Sequence, residues 1–321
     1  MSSQPAPGPV GRPRGRRLPR IFRGQAWQGL LFILPAVTLL GALVVYPLVW
    51  TIVYSFGDTN SKLEIVRWVG FDNYKRLFTV DRVFLNRDVF PPEGALINNL
   101  KWAVLYTTIS LGLGLVIAVL AARVRYESIV KAIIFVPMAI SATAVAIIWK
   151  FVYEPDPDKG VVNAVLTGAF NTDPIVFLGR ADTVNYAIIL AYVWASAGFA
   201  MVVLSAALKG IPEEIIEAAR TDGANEWAIF RRIQFPLLSL PMAVVTVWLT
   251  INVIKLFDVI YVLTRGGPGN SSEVIATQMF SEVFLNGEGG YGSAIAIVML
   301  ILIIPLMIWN ISRFRSERVV T

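Results

Sequence analysis

The chain contains no histidine and no cysteine. Their absence removes the imidazole bases, thiol nucleophiles, disulfides and usual metal ligands on which most enzymatic sites depend. Also missing is any Gly-x-x-x-x-Gly-Lys-Ser/Thr stretch, so nothing here can cradle nucleotide phosphates in the P-loop manner. Charge is scarce: 16% of the 321 residues are Asp, Glu, Lys or Arg, whereas soluble domains carry about 25%. What fills the chain is apolar, 56% of it hydrophobic, with a mean hydropathy of +0.64. The net charge of +6 would suit nucleic acid, but the basic residues punctuate apolar runs and do not form one patch with interleaved aromatics. These exclusions leave an all-α membrane protein with no catalytic residue, metal, cofactor or nucleic-acid partner expected.

A helix needs roughly 20 mostly apolar residues to cross the hydrocarbon layer. Six such runs are expected, at about Trp27–Phe56, Ala95–Ala122, Ala132–Tyr153, Val184–Ala207, Leu237–Thr264 and Tyr291–Ser312. Each begins or ends near Trp, Tyr, Lys or Arg, residues with an apolar body and a polar tip that settle at the interface. Short loops rich in Lys and Arg stay inside. Arg12, Arg14, Arg16, Arg17, Arg20 and Arg23 mark the N-terminal segment as cytoplasmic. Arg123, Arg125 and Lys131 mark the loop after span two, Lys209, Arg220, Arg231 and Arg232 the loop after span four, and Arg313, Arg315 and Arg318 the C-terminal tail. The longer loops Gly57–Gly94, Glu154–Thr183 and Arg265–Gly290 hold fewer basic residues and more carboxylates, and are expected outside. Both termini then face the cytoplasm.

The chain thus divides into a disordered basic tail, 1–26, a six-helix transmembrane domain, 27–312, and a short tail, 313–321. A signal peptide and a twin-arginine signal at Arg16-Arg17 are the competing readings of the N-terminus. The first apolar run is longer than a signal peptide's and lacks a clear small-residue cleavage site, so it reads as a retained span. The Pro-rich, polar stretch Ser2–Gly15 reads as a positive anchor at the inner surface of the lipid.

The loop 208–236 is punctuated as two short helices. Pro212 suits the first helical position, and Glu213 and Glu214 sit where the helix dipole favours negative charge. Gly223 stops the first helix, and Asn225 caps the second. Arg231 and Arg232 fall in that helix's last turn, and Pro236 limits its continuation. Ile216, Ala219 and Ala224 with Trp227, Phe230 and Ile233 give the pair an apolar face, which needs either the lipid surface or a protein partner.

The spacing within this loop separates those two. Glu217-Ala218-Ala219, three residues, Gly223, nine residues, Ile233, one residue, then Phe235-Pro236 resembles the signature loop of ABC importer permeases, with Phe235 standing where that loop usually has Leu. Gly70-Phe71-Asp72-Asn73-Tyr74-Lys75-Arg76-Leu77-Phe78, Asn98-Asn99 and Tyr261 through Glu273, with its Thr264-Arg265-Gly266-Gly267-Pro268 turn, resemble the sugar branch of that family over nearly the whole chain. The turn is typical of the first of two paired permeases. The resemblance implies a type I importer permease fold in a bacterial or archaeal cytoplasmic membrane. It also implies a second, similar permease, two ABC ATPase subunits, an external sugar-binding protein and a sugar cargo. It assigns Glu217, Ala218, Ala219 and Gly223 to the surface that couples to the ATPase. Small Ala side chains allow close helix approach, Glu217 offers a charge to a specific partner, and Gly223 permits the bend.

Polar groups inside spans are functional candidates because they are costly unless they face protein or water. In span five, Asn252, Lys255 and Asp258 recur every three residues with Tyr261 continuing the row, and Lys255 and Asp258 form either a structural ion pair or part of a polar face. An amide has donors and an acceptor for sugar hydroxyls, and Trp248 lies one turn earlier, placed to stack on a sugar ring. Span four contributes Tyr192, Ser196 and Phe199. The resemblance points to these two spans as the lining of the sugar pocket, so Asn252, Tyr192, Ser196, Lys255 and Phe199 are the substrate-binding candidates. With Lys255 the one basic side chain plainly inside a late span, a neutral disaccharide or oligosaccharide fits better than glycerol-3-phosphate. The alternative class is a secondary transporter without an ATPase. Asp258 is the one candidate for its coupling ion, and no inverted repeat is evident.

Overall fold

The computed structural model describes residues 22–317 apart from Ser61; the tail anchor expected at Ser2–Gly15 lies outside the described residues. Apolar periodicity and length dictate a chain dominated by helices. Four are long and apolar enough to cross a membrane: Gly29–Ser55, Ala95–Ala121, Val184–Lys209 and Gly289–Trp309. Two further candidates are bent pairs, Glu127–Ala139 with Ala142–Val152 at 101° and Glu226–Leu237 with Ser239–Ile254 at 64°. Six expected spans are therefore met by four straight helices and two broken ones.

The chain falls into two compact units, Met1–Trp50 and Thr51–Thr321. In the first, α1 (Phe22–Leu40) carries Pro35 inside the helix and passes through a π-turn, Gly41–Val45, into α2 (Tyr46–Ser55). Helix therefore begins before Trp27. From Leu30 onward its large side chains are mostly exposed, Phe32 at 87%.

The second unit opens with the end of α2 and continues into a two-stranded antiparallel ribbon, β1 (Gly57–Thr59) and β2 (Ile65–Trp68), followed by α3 (Asp72–Thr79). Side chains of α3 lock this segment in place. Asn73 donates to the carbonyls of Ser55 and Gly57, both at 3.0 Å, and the Tyr74 hydroxyl meets Ser55 Oγ at 2.7 Å. Asp81 accepts from the amides of Val83 and Phe84 and from Gln278, and also bonds the Tyr291 hydroxyl. Leu77 and Phe84 are buried there with Ala95, Ile275, Tyr291 and Ile295. The expected outer loop 57–94 is thus a folded cap.

The central pair is α4 (Ala95–Ala121) and α8 (Val184–Lys209). Between helices in lipid no difference in apolarity drives association, so close approach of backbones at small residues takes over. A Cβ at Gly114 of α4 would lie 2.4 Å from Ala200 Cβ and 2.8 Å from the Met201 nitrogen of α8. Gly198 plays the same part toward α5 (Glu127–Phe135), where an added Cβ would meet the Ile134 carbonyl at 2.7 Å. Around this pair Trp102, Tyr106, Ile188, Val245, Leu249 and Val259 form the main buried core.

Two expectations of straight helices are corrected. Span three is α5, a 3₁₀ turn at Val136–Ala139, and α6 (Ala142–Val152). Pro137 lies within the turn, Ile140 is extended, and Ser141 starts a new helix by accepting from the Ala144 amide at 3.3 Å. Span five is α12 (Ser239–Ile254), which ends at Lys255, and α13 (Asp258–Leu263). The short α7 (Val161–Phe170) lies between α6 and α8. α14 (Ile275–Phe280), running on through a π-turn at Ser281–Leu285, precedes α15 (Gly289–Glu317), which carries Pro305 within it.

Candidate functional site

The break in span three and the interruption between α12 and α13, which is separate from the bend at Leu238, meet at one place. Ala142, the first residue of α6, shares a cavity of about 290 Å³ with Tyr192 of α8, with Asn252, Lys255 and Leu256 at the end of α12, and with Phe257, Asp258 and Val259 at the start of α13. Non-helical backbone at membrane depth is tolerated where it is covered by protein or lines a polar cavity, because its amides and carbonyls need partners. The row Asn252, Lys255, Asp258 does gather, but as the rim of a break and not as one face of a continuous helix. Lys255 follows the last turn of α12 and Asp258 opens the first turn of α13, so each charge lies at the helix end whose dipole favours it. Among the described residues, no ion pair joins the two.

Of the five residues expected to bind substrate, Tyr192, Asn252 and Lys255 line the cavity, and Ser196 and Phe199 do not. The Ser196 hydroxyl turns back to the Tyr192 carbonyl at 2.6 Å, the common fate of a lone serine in a span. Phe199 stacks on Trp248 with ring centroids 4.0 Å apart, so each ring covers a face of the other. The Asn252 amide nitrogen donates to the Trp248 carbonyl at 2.8 Å, which fixes the side chain. The Tyr192 ring is held by Tyr106 at 5.0 Å and Trp102 at 6.0 Å between centroids.

A second constellation stands at the far end of α8. Helix α9 (Glu213–Thr221) is followed by α10 (Glu226–Ile229), a π-turn at Phe230–Gln234, and α11 (Phe235–Leu237). The hairpin between α9 and α10 is specified locally. Gly223 has φ +85°, its amide donates to the Arg220 carbonyl, and the Ala224 amide donates to the Ala219 carbonyl, both at 3.0 Å. These are the paired bonds of a Schellman ending, which places glycine in the left-handed position. Asn225 Oδ1 then accepts from the Ala228 amide at 2.8 Å to start α10. Pro212 stands one place before the expected first helical position, as the cap of α9. Arg231 and Arg232 lie within the π-turn, and the helix continues past Pro236 before bending at Leu238. Glu226 accepts from Arg220 at 3.0 Å and from Arg123 at 3.3 Å, tying the hairpin to the end of α4. Glu217, Ala218 and Gly223 are exposed and Ala219 is half-buried. Among the described residues Glu217 makes no ion pair.

A third group escaped sequence reasoning. Asn98 donates to the carbonyls of Ser271 at 2.9 Å and Glu273 at 2.8 Å, and Asn185 to Ser271 at 2.7 Å. These amides hold the Arg265–Glu273 loop on α4 and α8, and the adjacent pair Asn98-Asn99 was its visible signal. Gly266, at φ +84°, lies against the Glu273 carboxylate, where a Cβ would fall 1.6 Å from Oε2. Burial raises the Glu273 carboxyl to about 7.

Residues 110–311 match the family described as binding-protein-dependent transport system inner membrane component. The osmoprotective compounds uptake permease protein GgtC of Synechocystis is 43% identical over 89% of this chain and 99% of its own. The alpha-glucoside transport system permease protein AglF of Rhizobium meliloti is 37% identical over 98% of this chain and 89% of its own. A crystal structure of a bacterial ABC transporter involved in import of the acidic polysaccharide alginate superimposes with a TM-score of 0.77. At 22% identity, covering 94% of this chain and 100% of that one, it bears on the fold alone. Six expected spans, the signature spacing from Glu217 to Pro236 and these matches agree: the chain belongs to the binding-protein-dependent transport system inner membrane component family and has the type I ABC importer permease fold.

Proposed function

We propose that this chain is one of two paired permeases that carry a neutral sugar or small glycoside into the cytoplasm, with both termini inside. The observation that carries the sugar reading is the cavity at the two span breaks. Asn252 Oδ1 is an acceptor for a sugar hydroxyl, the Tyr192 hydroxyl is donor and acceptor, and Lys255 and Asp258 present opposite charges that suit a neutral polyhydroxylated cargo better than an anion. The AglF relative, named for α-glucosides, supports that class. The cavity is small for an oligosaccharide, and a facing permease subunit supplies the remaining wall.

Energy comes from two ATPase subunits, one of them docked on the α9–α10 hairpin. Glu217 and Ala218 are exposed there, and the Schellman ending at Gly223 fixes the angle at which α9 is presented. ATP binding closes the ATPase pair, moves the hairpin, and switches the cavity between its outward and inward openings. An external binding protein delivers the cargo at the capped end. The family is a transport family, and ATP hydrolysis belongs to the partner.

The test is uptake by the assembled transporter. Asn252→Ala removes a hydrogen-bonding group and is expected to raise the KM for sugar by about 3- to 10-fold, with assembly intact. An unchanged KM rejects direct contact. Glu217→Lys is expected to abolish ATP-driven uptake or release the ATPase, and normal coupling rejects the assignment of that residue.

A further inference from the structure

One ionic cluster lies outside both sites. Glu127, the first residue of α5, bonds Lys131 one turn along the same helix and lies 2.9 Å from the Nζ of Lys209. Lys131 also bonds the hydroxyl of Ser205 on α8. Ser205 is buried at 2% exposure, and the Glu127 and Lys131 side chains are only 22% and 19% exposed. Lys209 is the last residue of α8, and Gly210, Ile211 and Pro212 separate it from α9 of the coupling hairpin.

The placement links the end of α8 to the break beside the cavity. At one end of α5, Glu127 grips the residue next to the hairpin. Further along, α5 presses its Ile134 carbonyl against Gly198 of α8, leaving no room for a Cβ. At its other end α5 runs into the break at Ile140–Ser141, and Ala142 just beyond it lines the cavity. Helices packed backbone to backbone transmit displacement because the contact cannot compress.

We propose that Glu127 is a positioning residue for coupling: through Lys209 it makes α5 follow the hairpin, so that movement at α9 reaches the break beside Ala142. The inference rests on the importer reading above and adds the route by which the hairpin acts on the cavity. Lys131 and Ser205 hold the carboxylate at the correct height, and the Lys209 contact carries the movement.

The experiment uses the transporter assembled in its native membrane, then purified and reconstituted with its binding protein and sugar, and measures sugar taken up per ATP hydrolysed. Wild type is measured first; a complex that contains no ATPase sinks the importer reading and is distinguishable from any failure of this one. Glu127→Gln breaks both ion pairs, whereas Lys209→Met breaks only the contact to the hairpin and leaves Glu127, Lys131 and Ser205 together. Both variants are expected to assemble normally and to lower uptake per ATP by about 5-fold or more. Lys209→Arg, which retains the charge, is expected to restore the ratio. A defect in Glu127→Gln with none in Lys209→Met overturns the proposal, because the carboxylate then serves only the local fold of α5. Loss of assembly in both variants, or an unchanged ratio in both, overturns it equally.

Discussion

Replacing Asn99 by Ala should loosen three helices at once. The Asn99 side chain is 6% exposed and is used at both ends. Its amide nitrogen donates to the Val253 carbonyl at 3.0 Å, and its oxygen accepts from the Ile275 amide at 2.8 Å. Val253 lies in the last turn of α12, where its carbonyl accepts from the Leu256 amide at 3.1 Å and has Asn99 as a further donor. Ile275 is the first residue of α14, where the amide has no partner within its own helix. One side chain therefore closes a helix C-terminus and a helix N-terminus, and holds both against α4. Ala leaves the buried Ile275 amide unpaired, and takes from the Val253 carbonyl one of its donors while the Leu256 amide stays, so a loss of about 1–3 kcal/mol is expected. Asn99→Asp keeps the acceptor for Ile275 but removes the donor and adds a buried charge, and should be no better than Ala. Thermal unfolding of the purified protein in mild detergent, followed by tryptophan fluorescence, reads the change. An Asn99→Ala midpoint within a degree of wild type would refute the argument, since it would mean that these groups find other partners.

Gly114→Val should weaken packing of α4 on α8 by several kcal/mol, because the added Cβ falls 2.4 Å from Ala200 Cβ; undiminished yield and midpoint would show that the helices can separate freely. Glu273 supplies a pH dependence. Its folded-state pKa, raised to about 7 from 4.5, favours the protonated form in the folded protein, so stability falls as pH rises from about 4.5 and the loss is complete above about 7. Glu273→Gln should therefore raise the midpoint at pH 8 by the equivalent of about 3 kcal/mol and leave it little changed at pH 4.5; a Gln variant with the wild-type pH profile contradicts the assignment. Gly266→Ala should destabilise the same loop at every pH, since the glycine has φ +84° and the carboxylate fills the space beside it; wild-type stability would contradict that.

The straight spans were legible because their lengths follow from membrane thickness. Ala95–Ala121 and Val184–Lys209 lie within two residues of the apolar runs that announced them. The α9–α10 hairpin was legible for a different reason, that Gly223 and Asn225 act on their own neighbours through turn and cap chemistry. The breaks in spans three and five were hidden by hydropathy, which averages over the very residues that interrupt the helix. Pro137 and Ser141 were a usable signal for the first break; Lys255 and Phe257 offered no glycine or proline for the second. Contacts such as Asn98 to Ser271, 173 residues apart, leave no spacing to read. For the candidate cavity, composition picked out Asn252, Tyr192 and Lys255. It missed the fates of Ser196 and Phe199, because a hydroxyl satisfied by its own helix and a ring paired with Trp248 look in sequence like free binding groups.

The central claim is that this chain passes a sugar through its span breaks under the drive of an ATPase held at Glu217. The most direct test is to purify the tagged protein from its native membrane in mild detergent, identify the subunits that come with it by mass, and assay ATP-driven sugar uptake after reconstitution. The account predicts an ABC ATPase, a second permease and uptake that requires both ATP and the binding protein. A chain that purifies alone under gentle extraction, and moves solute without ATP, would contradict it.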